Sequence, residues 1–237
     1  MDIQGAVDNY ASAMQHCDNL IAVHRAGRDG SRGRLVVEPS VNRGTIVLAV
    51  ASWQAFIQDA AAALRDEALV ELRAVPGTHR LLAGAMNQWE HDFEVALQKF
   101  ATPDSHKSRE LLKRVGFDPR PSWTWSQNGG RGKTSVVVEP KHVDEVIRQW
   151  LQVRHAVAHG HATIHSYPVL GAVRDPQSSP SAKAAPTLRL SDAIDCVRFF
   201  RSIVRLTADS AATHLHQPVP KWAKTPRPAL GLNISHL

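Results

Sequence analysis

Cysteine is scarce in this sequence, and so are long apolar runs. The 237 residues include two cysteines, Cys17 and Cys196, which are too few for a disulfide framework or a cysteine-based zinc site. We interpret both as core thiols, since no His/Asp pattern marks either as a nucleophile. The longest mostly apolar run, Thr45–Ile57, is too short to span a bilayer, and the first residues lack the basic-then-apolar order of a signal peptide. These absences predict a cytoplasmic, reduced protein.

Aromatic residues make up only 6% of the chain, but the apolar share of 43% and the charged share of 21% are ordinary for a soluble globular protein. Lysine and arginine outnumber the acids by 28 to 22. The basic excess is concentrated in residues 24–34, 104–134 and 218–237. Such concentrated positive charge favours a polyanionic partner, with nucleic acid the first candidate. A set of solvated basic loops is the alternative.

Apolar residues recur at helical spacing along most of the chain. The spacing predicts helices at about residues 3–23, 41–70, 79–100, 105–115, 140–158 and 191–216. Pro140 suits a first helical position, whereas Gly116 and Gly160 suit helix exits. There is no alternating series of strands beyond a short one at 136–138, and residues 166–187 form a loop or short hairpin in this interpretation. We therefore predict an all-α fold with one helical domain at 1–217, flexible basic loops at about 26–40 and 117–138, and a Pro-rich tail at 218–237.

The most informative stretch is the helix that ends near Gly160. Its apolar stripe includes Ile147, Trp150 and Val157, and Arg154 lies on the same stripe. A guanidinium on a packing face is costly unless it is paired or lines a wet cleft. Arg154 is therefore a candidate site residue, and an arginine whose stem packs while its head reaches water is the alternative.

His159 follows five positions after Arg154, at the helix end. Five residues turn a helix by about 500°, so in one straight helix His159 points about 140° away from Arg154. Either unwinding at Gly160 or a second copy of the chain would bring the two groups into one site. An imidazole beside a permanent cation suits RNA cleavage, because one group moves a proton and the other stabilises charge on the phosphorane.

The segment Arg154–Gly160, Arg-His-Ala-Val-Ala-His-Gly, resembles the R-x4–6-H signature of the HEPN superfamily, in which a polar residue usually follows the arginine. Upstream, residues 42–56 resemble the early helix of its RiboL-PSP-HEPN branch, as do residues 100–104 running into 111–116. Together these stretches cover most of residues 41–160 in the expected order. The chain departs from the pattern where an acid is expected, since Gln54 and Gln58 stand there with Asp59 beside them.

The resemblance implies a HEPN-like helical bundle with long irregular loops that forms a homodimer, with both motifs facing one cleft. It also implies metal-independent RNA cleavage without a cofactor, often in toxin–antitoxin or antiphage-defence systems that supply a partner protein. Arg154 and His159 would be the catalytic pair and His155 the accessory polar residue. Some family members have lost activity and serve as binding or antitoxin modules, so a silent module that binds protein, RNA or a nucleotide is the alternative.

Other patterns in the chain allow competing interpretations. His155, His159, His161 and His165 are spaced so that two of them share a helix face and could bind a metal, or the four could face solvent or phosphate. Residues 129–135 resemble a phosphate loop but have Gln127 where its first glycine belongs, so we reject a nucleoside triphosphatase. The other interpretation of these residues is a basic loop that touches the RNA backbone. Its weak candidates are Arg120, Trp123, Trp125, Arg131 and Lys133, together with His161; the alternative is that the tryptophans pack beneath the loop.

Overall fold

The computed structural model describes residues 1–26, 37–73, 80–128, 135–161, 163–175 and 188–237. Within these ranges the chain is mostly helical, which confirms the all-α prediction. The helices are α1 (Ile3–Ala26), α2 (Val37–Arg73), α3 (Arg80–Gln98), α4 (Ser105–Lys113), α5 (Pro140–Ala158), α6 (Gly171–Arg174) and α7 (Leu190–His214). Single-turn 3-10 helices cover Arg120–Ser122 and Ile234–His236, and the strands are β1 (Trp125–Asn128) and β2 (Ser135–Val138).

The core is built around α2, which contacts α1, α4, α5 and α7. Its apolar side chains recur every three or four residues, and Ile46, Val50 and Ile57 are buried along that stripe, as an amphipathic helix requires. Trp53 is fully buried, with its ring centroid 6.1 Å from that of Phe200 on α7. The stripe therefore places α2 at the centre of one shared core.

Helix α2 is also long and apolar enough to cross a membrane. Within Pro39–Leu72, an 18-residue stretch has a mean hydropathy of 1.4, and among the described residues this is the one helix with that property. However, 56% of that stretch is buried inside the protein. Such burial is typical of the core helix of a globular protein, although the stretch is longer than the apolar run Thr45–Ile57.

Glycine ends two helices where the sequence predicts it. Gly160 has a φ of 65° and Gly116 has a φ of 80°. This left-handed conformation is unfavourable for a residue that carries a side chain. The Gly160 N–H donates to the carbonyl of Val157 at 3.1 Å, and the His161 N–H donates to that of Ala156 at 2.9 Å. These two bonds form a Schellman motif, which turns the chain sharply after α5.

Residues 117–138 are more ordered than the predicted flexible loop in the part that the structure describes. Strands β1 and β2 pair antiparallel, with Trp125 opposite Val138 and Asn128 opposite Ser135. Residues 129–134, between the strands, lie outside the described residues. Most of the predicted loop at 26–40 also lies outside them, because residues 27–36 are not described.

The Pro-rich segment after residue 217 packs on the same core as the helices. Leu230 is fully buried, and its N–H donates to the side-chain oxygen of Gln127 at 3.0 Å. The amide nitrogen of Gln127 donates to the Leu232 carbonyl at 2.9 Å. The boundary at residue 217 that the proline content predicts therefore does not mark the end of the packed core.

The start of α7 differs in detail from the predicted cap. The helix begins at Leu190, and the buried carboxylate of Asp192 accepts the N–H of Arg189 at 2.8 Å and that of Gly171 at 2.7 Å. One carboxylate thus joins the start of α7 to the start of α6. Of the predicted loop or hairpin at 166–187, the described part contains the single helical turn α6.

Candidate active site on α5

Helix α5 has the bounds that the sequence predicts, and it places Arg154 at the edge of a broad buried face. Val143, Ile147 and Val153 are fully buried on this face, and Trp150 is 1% exposed. Arg154 itself is half-buried. The face, including Trp150, is covered within a single chain.

Two N–H donors on this face have no acceptor among the described residues. They are Nε of Arg154 and Nε1 of Trp150, and both are buried from solvent. The two residues are four apart and so lie on the same side of the helix. A buried donor without a partner costs about 1–3 kcal/mol. An acceptor supplied by a bound molecule would remove that cost.

Three histidines form a cluster at the C-terminal end of α5. The ring centroids of His155 and His159 are 4.1 Å apart, and each is 6.1 Å from that of His161. All three side chains are exposed. His161 reaches the other two because the turn at Gly160 folds the chain back. The ring of His165 instead lies 6.1 Å from that of Tyr167.

The structure does not bring Arg154 and His159 together within one chain. No hydrogen bond in the described part of the chain joins them, and His159 retains near-helical dihedrals, with φ of −88° and ψ of 5°. The helical path therefore continues through His159. The angle of about 140° between the side chains of Arg154 and His159 persists. Of the two predicted routes to a joint site, a second copy of the chain is the one left open.

The glutamines that stand where the HEPN pattern has an acid hold two helices together. The side-chain amide of Gln54 donates to the Phe100 carbonyl at 2.9 Å, and that of Gln58 donates to the Leu97 carbonyl at 3.1 Å. A carboxylate could not donate these bonds. The neighbouring Asp59 accepts a hydrogen bond from Asn9 at 3.0 Å. These side chains fasten α2 to α1 and to the end of α3.

The weak RNA-binding candidates fall into different environments. Trp123 is fully buried, and its Nε1 donates to the Thr207 hydroxyl at 2.9 Å, so its ring is not available to stack on a base. Trp125 is 9% exposed and also packs in the core. Arg120 pairs with Asp144 at 3.1 Å.

The remaining weak candidates divide between the histidine cluster and the part of the chain that is not described. His161 is exposed within the cluster, whereas Arg131 and Lys133 lie outside the described residues. Of the six weak candidates, His161 is the one that the structure places beside the candidate site.

Ion pairs neutralise much of the basic stretch that precedes α5. Asp118 accepts two hydrogen bonds from Arg109 at 2.9 Å each, lies 3.1 Å from the Lys113 ammonium, and accepts the Arg120 N–H. The Arg109 guanidinium, more than any other group, holds the pKa of Asp118 well below its usual range. Part of the positive charge of this stretch is therefore engaged in ion pairs within the protein.

Sequence reasoning missed a buried amide that anchors the chain after the histidine cluster. Gln149 is 2% exposed; its side-chain oxygen accepts the Val169 N–H at 3.0 Å, and its nitrogen donates to Glu145 at 2.6 Å. The signal was present, since Gln149 is a polar residue between the apolar Ile147 and Trp150. Through its bond to Val169, Gln149 holds the segment after His161 against α5.

The described residues contain no group of three or more His, Cys, Asp or Glu side chains arranged to hold a metal ion. Two surface cavities lie elsewhere, and neither is lined by a residue of α5. Comparison with protein-family models, with curated proteins and with solved structures found no match for this chain.

Proposed function

We propose that the protein is a metal-independent endoribonuclease of the HEPN type, with a HEPN-like helical bundle. The observation that carries this proposal is the half-buried Arg154, whose Nε has no acceptor among the described residues. It lies one residue before the first imidazole of the histidine cluster. A phosphate is the ligand that best uses an unpaired guanidinium, because its oxygens match the planar array of donors.

The chemistry needs only side chains of this kind. An imidazole takes the proton of the RNA 2′-hydroxyl, the 2′-oxygen attacks phosphorus, and the bond from phosphorus to the 5′-oxygen breaks. The departing 5′-oxygen receives a proton, so the products are a 2′,3′-cyclic phosphate and a 5′-hydroxyl. Arg154 stabilises the charge of the phosphorane, His159 moves a proton, and His155 is the accessory polar residue.

A homodimer completes the site in this proposal. Because Arg154 and His159 diverge on one helix, the arginine of one chain would work with the histidine of the other, across a two-fold axis. The setting that we propose is cytoplasmic, in a toxin–antitoxin or antiphage-defence system with a partner protein that controls cleavage.

Cleavage of purified RNA in excess EDTA tests this proposal. The wild-type chain should cleave, and Arg154→Ala and His159→Ala should each lose at least 100-fold in rate. Arg148→Ala on the same helix and His91→Ala on α3 are matched controls, since both side chains are exposed, and they should cleave like the wild type. Activity that EDTA abolishes and Zn²⁺ or Mn²⁺ restores would favour a histidine metal site instead.

The second candidate is a catalytically silent module that binds RNA, a nucleotide or a partner protein. The separation of Arg154 from His159 within one chain favours it. A protein that binds RNA with Arg154-dependent affinity but yields no 2′,3′-cyclic phosphate would establish this candidate over the nuclease.

A further inference from the structure

Four cations converge on a cavity of about 590 Å³ at the corner where α3 leads into α4. Lys99 follows the end of α3, Lys107 and Lys113 come from α4, and Arg114 caps it. All four side chains are exposed. The volume lies within the range of about 300–1,000 Å³ typical of small-molecule sites.

The carboxylates near this cavity are largely engaged elsewhere. Asp118, which pairs with Lys113 at 3.1 Å, is held mainly by Arg109. Glu110 is the acid that lines the cavity, and its carboxylate lies 3.3 Å from a ring nitrogen of His106. With four cations and one carboxylate, the lining carries a formal charge of about +3.

Three of the cations have no carboxylate partner in the part of the chain that the structure describes. They are Lys99, Lys107 and Arg114, for which no ion pair or side-chain hydrogen bond is formed. Beneath them lie Phe100 and Leu111, which are 7% and 3% exposed. An apolar floor offers no acceptor, so these charges remain free for a ligand.

The number and type of these donors indicate the chemistry of the ligand. Two ammonium groups and one guanidinium fork around a single cavity match an anion that has several oxygens and more than one negative charge. A phosphate ester or a pyrophosphate meets this description, whereas a single carboxylate would use only part of the array. We propose that the cavity binds a phosphate-bearing ligand through Lys99, Lys107 and Arg114.

This site is separate from the candidate active site. Asp144, near the start of α5, pairs with Arg120 at 3.1 Å, and the Arg120 N–H donates to Asp118, which is the partner of Arg109 on α4. Helix α4 therefore lies beside the first turns of α5. His159 lies 15 residues farther along, a rise of about 22 Å. The proposal thus does not rest on the nuclease activity.

Two probes distinguish the sources of the phosphate. Inorganic pyrophosphate stands for a free phosphorylated molecule, and a 2′-O-methyl RNA oligonucleotide stands for an RNA backbone that cannot be cleaved. Calorimetric titration at low salt would compare the wild type with Lys99→Gln/Lys107→Gln/Arg114→Gln. The matched control is Arg43→Gln/Lys141→Gln/Arg198→Gln, which removes three exposed cations that do not line the cavity.

We expect the cavity variant to bind pyrophosphate at least tenfold more weakly than the wild type, with the control variant within twofold. A loss of affinity confined to the RNA probe would also support the site and would assign it to the RNA backbone. Equal affinities of wild type and cavity variant for both probes would overturn the proposal. So would an equal loss in the control variant, because the effect would then come from net charge alone.

Discussion

The two ends of α5 differ in whether their cations have carboxylate partners. At the start, Arg120 pairs with Asp144, Lys141 with Glu139 and Arg148 with Glu145. At the other end, Arg154 and the three clustered histidines have no carboxylate partner within the described ranges. The difference shows that a cation becomes a site candidate through the lack of a partner. A basic stretch in the sequence does not by itself provide that information.

The largest expected effect is at the unpaired end. Arg154→Lys keeps the positive charge but loses the planar fork and the Nε donor. If the guanidinium stabilises the phosphorane, RNA cleavage should fall by about 100-fold or more. Single-turnover rates would measure this loss, and circular dichroism would check that the fold is retained. Cleavage at the wild-type rate would show that charge alone is sufficient at this position.

Mixed dimers test whether the unpaired end is completed by a second chain. Arg154→Ala and His159→Ala chains, each inactive, should recover activity when they are mixed and allowed to exchange. At equal amounts about half of the dimers are mixed, and one of the two sites in each is intact, so about a quarter of the wild-type rate should return. No recovery despite proven exchange would contradict a site that is shared between two chains.

At the paired end the expected effect is on stability. Asp118→Asn leaves Arg109 and Lys113 without their counter-charge and should lower the free energy of unfolding by about 1–2 kcal/mol at pH 7. The folded-state pKa of Asp118 is lowered. Its contribution is therefore present above the unfolded-state pKa of about 3.9 and is lost as the pH falls through the lower folded pKa.

Urea titrations of the wild type and Asp118→Asn at pH 7 and pH 3 would measure this effect. The two unfolding curves should be well separated at pH 7 and closer at pH 3. Asp8→Asn is the control, because Asp8 is exposed and should change stability little. A separation that grows as the pH falls would contradict the assigned direction of the pKa shift.

The smallest expected effect is on RNA binding, to which unpaired basic residues should contribute more than paired ones. Replacing Lys221 and Lys224, which are exposed, with glutamine should weaken RNA binding slightly and reduce the salt slope by about 0.7 per lost phosphate contact on single strands. Arg120→Gln should mainly lower stability, since Arg120 is held by Asp144. Unchanged affinity and slope in Lys221→Gln/Lys224→Gln would make that segment a solvated surface.

Local signals predicted the framework of the fold. Pro140 lacks an N–H, which the first turn of a helix does not need, and Gly160 accepts a positive φ. The bounds of α5 follow from these two residues. Strand β1 was not predicted, since Trp125–Asn128 has no alternating pattern and becomes a strand by pairing with β2. The burial of Trp123 also lacks a local signal, because it depends on Trp53 of α2 and Thr207 of α7, which lie far away in the sequence.

The candidate site was predicted in part. Helical spacing brings His155 and His159 to one side of α5, and the left-handed turn at Gly160 adds His161. Spacing also predicts that Arg154 points elsewhere, and the structure agrees with this. The burial of the Arg154 Nε could not be predicted, because it depends on the packing of neighbouring elements against α5.

The clamp made by Gln127 has a consequence for the order of events during protein synthesis. Its side chain bonds to Leu230 and Leu232, which are 103 and 105 residues farther along the chain. While the ribosome is still adding those residues, the Gln127 amide lacks both of these partners and is open to water. Closing so long a loop is slow compared with forming a helix. The packing around Gln127 can therefore be completed only after residue 232 has emerged from the ribosome.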